Sequence, residues 1–146
     1  MKIDTNAPLK AQKEILISGS IENVWAALTM IDRWAEWQPD VSSSMLDGKL
    51  EKGTVFRWKA KGLNITSVLQ LLEPLQSIGW TGNSIGMKAV HIWSLEQRND
   101  GTFVKTEESL SGWFPRILKL FDPEFLEKSL IASLQVLKSY VEEKYS

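Results

Sequence analysis

The sequence predicts an α+β fold in which a curved antiparallel sheet of about seven strands wraps a long C-terminal helix, with two short helices after the first strand. Three observations predict it. Apolar side chains recur at helical spacing over residues 21–31, at a period of two between Val41 and Leu110, and at helical spacing again from about residue 123 to 144. A chain of 146 residues buries roughly 70% of the surface its unfolded form exposes, enough for one core. No linker, repeat or low-complexity stretch divides it, so residues 1–146 are expected to form one domain.

Residues 13–18 (KEILIS) are a β-rich run, followed by Ser20 as an N-cap and Glu22 in a first helical turn. Ile21, Val24, Trp25, Leu28 and Ile31 then share one face of a helix over 21–31. Asp32 is placed to cap a second, shorter helix carrying Trp34 and Trp37, which must stop before Pro39 because the residue preceding a proline is pushed out of the helical region.

From Val41 onward, turn signals at Asp47-Gly48, Lys61-Gly62, residues 83–86 and Asn99-Asp100-Gly101 separate the strands. Phe56, Trp58 and Ala60 alternate with Arg57, Lys59 and Lys61, so the aromatic side faces in and the basic stripe faces solvent. With Lys61-Gly62 as a two-residue loop, Ala60 pairs with Leu63, Trp58 with Ile65, Phe56 with Ser67 and Thr54 with Leu69. With Asp100-Gly101 as the next loop, Leu95 pairs with Thr106, Trp93 with Glu108 and His91 with Leu110, which puts Glu108 inside and Lys105 and Glu107 outside. Trp80 lies on the strand between. After Gly112 a short apolar stretch, WFPRILKLF, suits a hinge or hydrophobic packing, and a gate at Trp113 and Phe114 is the alternative. Asp122-Pro123-Glu124 reads as a helix start: a capping acid, proline at the first position and an acid in the first turn. Leu126, Leu130, Leu134, Leu137 and Val141 form the inner arc of the helix that follows, with Ser129 and Ser133 inside it.

Composition removes several function classes. Net charge is −1 with a pI near 5.9 and no block of like charge, so neither a nucleic acid nor an anionic membrane is indicated as partner. No cysteine and a single histidine leave no zinc site and no thiol chemistry. The glycines at 79, 82 and 86 match neither a phosphate loop nor a dinucleotide fingerprint, and no cofactor is expected. There is no window of ~20 apolar residues and no signal peptide, so no membrane span is expected and the protein reads as cytoplasmic. Seven tryptophans are the abnormal feature; such side chains serve cores, ligand cavities and interfaces alike.

The order of elements, together with ISGSIENVWAALTMIDRWAEW at 17–37 and residues 86–95 followed by Thr106-Glu107-Glu108-Ser109 and Gly112, resembles the START-like, SRPBCC or helix-grip superfamily, and in its closing strands the polyketide cyclase/dehydrase branch. The resemblance covers nearly the whole chain. It implies a cavity between sheet and helix; it implies no shared catalytic set, because carriers, receptors, aromatase/cyclases and chaperone regulators all use this fold.

The inner-face inventory suits a ligand site: Phe56, Trp58, Ile65, Leu69, Trp80, Trp93, Leu126, Leu130 and Leu137 as walls, and Ser67, His91, Glu108, Ser129 and Ser133 as polar contacts. A filled core is the alternative. The serines either leave volume a leucine would occupy or bond back to the carbonyl four residues earlier. His91 and Glu108 are the candidates for catalysis, as an acid/base couple, or else two buried polar groups that satisfy each other. Three functions remain open: binding of a small apolar or aromatic molecule, lipids included; a cofactor-independent cyclase or dehydratase; and a regulatory interaction domain with a collapsed cavity. Nothing in the sequence sets the oligomeric state.

Overall fold

The computed structural model of the chain describes residues 1–144. Strand β1 (Leu9–Ile17) leads into helix α1 (Ile21–Thr29) and a 3₁₀ helix (Ile31–Glu36). Six strands follow: β2 (Val41–Leu46), β3 (Val55–Ala60), β4 (Leu63–Glu73), β5 (Ser77–Ser84), β6 (Met87–Arg98) and β7 (Gly101–Ser111). Helices α2 (Trp113–Phe121) and α3 (Phe125–Lys144) close the chain. Strands β2 to β7 form a meander, and β1 returns to pair antiparallel with β7, giving one seven-stranded sheet in the order β1-β7-β6-β5-β4-β3-β2. The expected α+β architecture, a sheet gripping a long C-terminal helix, is what forms.

Ser20 caps α1 from extended backbone, its Oγ accepting from the Asn23 N–H at 3.1 Å. Ser20→Ala is expected to cost about 1 kcal/mol, read as a lower urea midpoint with unchanged slope; an unchanged midpoint would show that the cap contributes nothing. The helix stops at Thr29, two residues earlier than its apolar spacing suggested, because Met30 leaves the helical region at ψ 69°. That shift displaces Asp32 from the capping role expected of it. Met30 occupies the cap position of the 3₁₀ helix, and Asp32 Oδ1 instead accepts from the Leu46 N–H at 2.6 Å, fastening this turn to β2.

The β3–β4 register is as expected, with Ala60 opposite Leu63, Trp58 opposite Ile65 and Phe56 opposite Ser67; farther along, the Leu69 N–H donates to the Thr54 carbonyl at 3.0 Å. Lys61 (φ 50°) and Gly62 (φ 79°) both take positive φ, as a tight two-residue hairpin requires.

The β6–β7 register differs from expectation by two residues. Arg98 pairs with Gly101, so the loop is Asn99-Asp100; Leu95 faces Val104, Trp93 faces Thr106 and His91 faces Glu108. Gly101 opens the strand where β1 leaves no room for a side chain: at φ 143° a Cβ there would lie 2.1 Å from the Ile17 carbonyl oxygen. Because side-chain orientation has period two, this slip keeps Glu108 on the inner face while changing its neighbour.

The stretch 113–121, expected as a short apolar segment serving as hinge or hydrophobic packing, is a helix. Gly112 turns into it at φ 114°, and Pro115 sits at the third helical position, where the missing N–H breaks no intrahelical bond. Asp122, expected to cap the long helix, terminates α2 instead, its N–H donating to the Leu118 carbonyl at 2.7 Å. Helix α3 consequently starts at Phe125 rather than at residue 123.

Packing divides into two clusters. The larger gathers Ile17, Val24, Leu28, Trp34, Phe56, Trp80, Trp93, Leu134, Leu137 and Val141; the smaller gathers Leu9, Leu110, Leu126 and Leu130. Trp34 is the hub of the first. It meets Phe56 at 5.4 Å and Trp58 and Trp80 at 5.2 Å between ring centroids, and its Nε1–H donates to the Leu28 carbonyl at 3.1 Å.

Candidate functional site

Between the two clusters lies a cavity of about 150 Å³. A second lobe of about 60 Å³ adjoins it behind Trp58, Trp80 and Glu108. Of the residues expected at a site, the structure brings Trp58, Ile65, Trp80, His91, Trp93, Glu108, Leu126, Ser129 and Ser133 together on the main cavity wall, and Ser67 on the second lobe. Phe56, Leu69, Leu130 and Leu137 do not join them. Each is fully buried in packed core: Phe56, Leu69 and Leu137 in the larger cluster, where Trp34 packs on Phe56, and Leu130 among the leucines of the smaller one.

His91 and Glu108 stand directly opposite each other on β6 and β7, with His91 Nδ1 3.3 Å from Glu108 Oε2 and His91 Nε2 2.8 Å from Thr106 Oγ1. The imidazole is held between Trp80 (5.1 Å) and Trp93 (5.4 Å). Burial in this apolar setting drives both groups to their neutral forms. The His91 pKa is lowered to about 3 by desolvation. Glu108 is raised to about 8 by desolvation, opposed by the charge of Lys61. At neutral pH the pair is therefore an imidazole and a carboxylic acid, not an ion pair. His91 Nε2 and Thr106 Oγ1 share a hydrogen bond, and the Glu108 carboxyl faces the other ring nitrogen. Both imidazole nitrogens thus face protein groups, and Glu108 and Asp40 are the acidic side chains that line the cavity.

Ser67 is engaged, accepting from Trp58 Nε1–H at 3.0 Å. Neither Ser129 nor Ser133 has a recorded bond back along α3; the Ser129 hydroxyl accepts from Lys61 Nζ at 3.3 Å. Two buried polar atoms have no protein partner among the described residues: Trp93 Nε1 and Ser84 Oγ. Trp93 lines the main cavity and Ser84 the second lobe.

The mouth is built from residues that strand alternation did not reveal. Lys61, expected on the solvated basic stripe, lines the cavity, since the hairpin's positive φ takes it out of strand geometry. Its ammonium lies 3.9 Å from Asp40 and 4.6 Å from the centre of the Phe125 ring. With the Ser129 bond, the Phe125 contact latches the β3–β4 turn to the start of α3, and the Asp40 contact ties it to the segment before β2. Trp34 and Trp37 from the 3₁₀ turn, and Phe114 and Leu118 from α2, complete the walls. The i, i+4 spacing of Phe114 and Leu118 is a helical signal that could have been read; the course of the segment carrying Trp37 and Asp40 depends on its packing.

A meandering sheet closed around a long helix, with a largely apolar cavity between them, defines the START-like helix-grip class. Within it, the chain belongs to the family described as polyketide cyclase / dehydrase and lipid transport, whose model matches residues 8–142. Among solved structures it is similar to a hypothetical protein from Helicobacter pylori, at 18% identity and TM-score 0.84 over 95% of this chain and 91% of that one. A START superfamily protein from Mycobacterium smegmatis matches at 13% identity and TM-score 0.74, over 92% and 97% of the respective chains. The di-domain ARO/CYC StfQ of the steffimycin biosynthetic pathway matches at 16% and 0.74 over 93% of this chain, which spans about half (51%) of that longer one. At these identities the likeness is one of fold. No curated protein matches the sequence.

Proposed function

We propose that the protein binds a small apolar or aromatic molecule bearing at least one hydrogen-bonding oxygen, held between the sheet and α3. The observation that carries this reading is the composition of the cavity wall: indoles and aliphatic side chains surround a carboxylic acid kept neutral and an indole N–H with no protein partner. An unpaired buried donor costs about 1–3 kcal/mol, and a ligand oxygen near Trp93 or Glu108 recovers it. About 150 Å³ suits a compact ring system, since an apolar cavity of roughly this size accepts benzene. A longer ligand needs the Lys61–Ser129 latch to open. The family's description as cyclase, dehydrase and lipid transport is compatible with either ligand shape.

Native mass spectrometry against naphthols, anthrols and medium-chain fatty acids tests this. One-to-one adducts are expected with the wild type. Ser133→Leu, which fills the cavity from α3, is expected to weaken them at least about tenfold, the equivalent of 1.4 kcal/mol, with an unchanged circular dichroism spectrum. Absence of any adduct would remove the proposal.

A second reading, a cofactor-independent cyclase or dehydratase, is favoured by one observation: an acid of pKa about 8 remains able to donate a proton at neutral pH. In it Glu108 protonates a substrate oxygen while His91, held by Thr106 and facing the carboxyl, positions the acid. Turnover of a poly-β-ketone thioester that survives Glu108→Gln unchanged would eliminate this reading and leave the binder.

A further inference from the structure

Helix α2 has two apolar sides, and the cavity uses only one. Phe114 and Leu118 line the cavity, whereas Trp113, Ile117, Leu120 and Phe121, at i, i+4, i+7 and i+8, are exposed. Ten large apolar side chains are exposed among the described residues, and five of them gather here, counting Ile85 at the β5–β6 turn. The turn and the helix touch: the Phe114 N–H donates to the Gly86 carbonyl at 3.1 Å, and Trp113 packs so closely on Gly86 that a Cβ there would lie 2.3 Å from the indole.

We propose that this face docks on an anionic lipid surface. Charge and shape both select that occupant. Arg116 and Lys119 flank the exposed side chains, α2 carries no acid, and neither cation has a recorded ion pair among the described residues. The helix is thus a local cation on a chain of net charge −1, which is why whole-chain charge gave no sign of it. Ile85, Leu120 and Phe121 are 84%, 81% and 83% exposed, so they protrude as a ridge and form no groove. A protein partner must match such a ridge in shape, whereas a bilayer interface accommodates it by fluidity, with aromatic and aliphatic tips in the headgroup boundary and basic residues beside anionic headgroups. Because Phe114 and Leu118 belong to the same helix, docking sets one cavity wall against the lipid. The inference rests on the outer face of α2 and stands whether or not the cavity takes a ligand.

The test is sedimentation of the full chain with vesicles of phosphatidylcholine alone and of equal parts phosphatidylcholine and phosphatidylserine. The wild type is expected to partition onto the mixed vesicles at low salt and to be released as salt screens the attraction. The double variant Leu120→Ser/Phe121→Ser, at positions that support no core, is expected to bind at least about tenfold more weakly. Arg116→Glu with Lys119→Glu is expected to abolish the preference for phosphatidylserine, and thermal melts of both variants should match the wild type. A wild type that stays in the supernatant with both vesicles overturns the proposal, as does equal sedimentation of wild type and variants. Gel filtration showing a wild-type dimer that the serine variant converts to monomer, without vesicle binding, would assign the face to self-association and likewise overturn it.

Discussion

Replacing Trp34 with alanine is expected to lower the unfolding free energy by about 3–5 kcal/mol, the range for removing a fully buried large ring. Trp34 is 1% exposed and touches three other aromatic rings at 5.2–5.4 Å. The two edge-to-face pairs, with Phe56 and Trp58, contribute about 0.5–1.5 kcal/mol each beyond area burial, and the substitution also leaves the Leu28 carbonyl without its indole donor. Because Trp34 lines the cavity as well, the variant should enlarge it. Trp34→Phe is expected to fall between: it keeps a ring against Phe56 and Trp80 but still abandons the Leu28 acceptor. Urea unfolding at pH 6 measures both. A loss under about 2 kcal/mol for the alanine variant, below the range for such truncations, would show that the neighbouring rings collapse into the gap and that the hub is less rigid than its contacts imply.

The second large effect is a pH dependence originating in Glu108. Its folded pKa is raised, so the folded state binds more protons than the unfolded one, and stability declines as pH rises from about 4.5 to about 8. His91 acts in the opposite sense. Its folded pKa is lowered to about 3 from 6.5, so stability is lost as pH falls below 6.5. Between pH 4.5 and 6.5 the two slopes cancel, which leaves the Glu108 decline visible from about 6.5 to 8. At ~1.4 kcal/mol per pH unit this decline amounts to ~2 kcal/mol. Glu108→Gln should abolish it, giving a flat profile over that window and a variant more stable than the wild type at pH 8. His91→Gln should leave the alkaline decline in place and extend it down toward pH 4.5. Denaturant midpoints collected from pH 5 to 9 decide this. A wild-type profile already flat above pH 6.5 would mean that Glu108 is ionised in the folded protein, and with that the neutral pair and the general-acid reading both fall.

The part of the fold that was legible in the sequence rests on local periodicity. Alternation over 54–60 fixed the inner face of β3 and, with the Lys61-Gly62 turn, its pairing with β4. The same alternation along β7 put Glu108 inside and Glu107 outside, and a two-residue register error left that assignment intact. What periodicity could not supply is which inner-face position opposes which. Gly101 could serve as loop or strand by its own conformational freedom, and in the closed sheet it pairs with Arg98 as the first residue of β7. Only that pairing brings His91 opposite Glu108.

Local patterning along the chain sets the grip: strands by alternation and turn signals, a terminal helix by its inner arc of leucines, and an aromatic interior by inner-face tryptophans. These follow from interactions between residues close along the chain. Tertiary structure decided which of the interior residues are wall and which are filling. It placed Phe56, Leu69, Leu130 and Leu137 in packed core, drew Lys61 from the solvated stripe to the cavity mouth, made a helix of residues 113–121, and turned two ionisable side chains into a neutral pair. The physical reason is common to all of these. Burial, free volume and desolvation depend on what lies across the interior, and the groups that meet there, such as Lys61 with Ser129 or His91 with Thr106, are brought together only when the sheet closes on its helix.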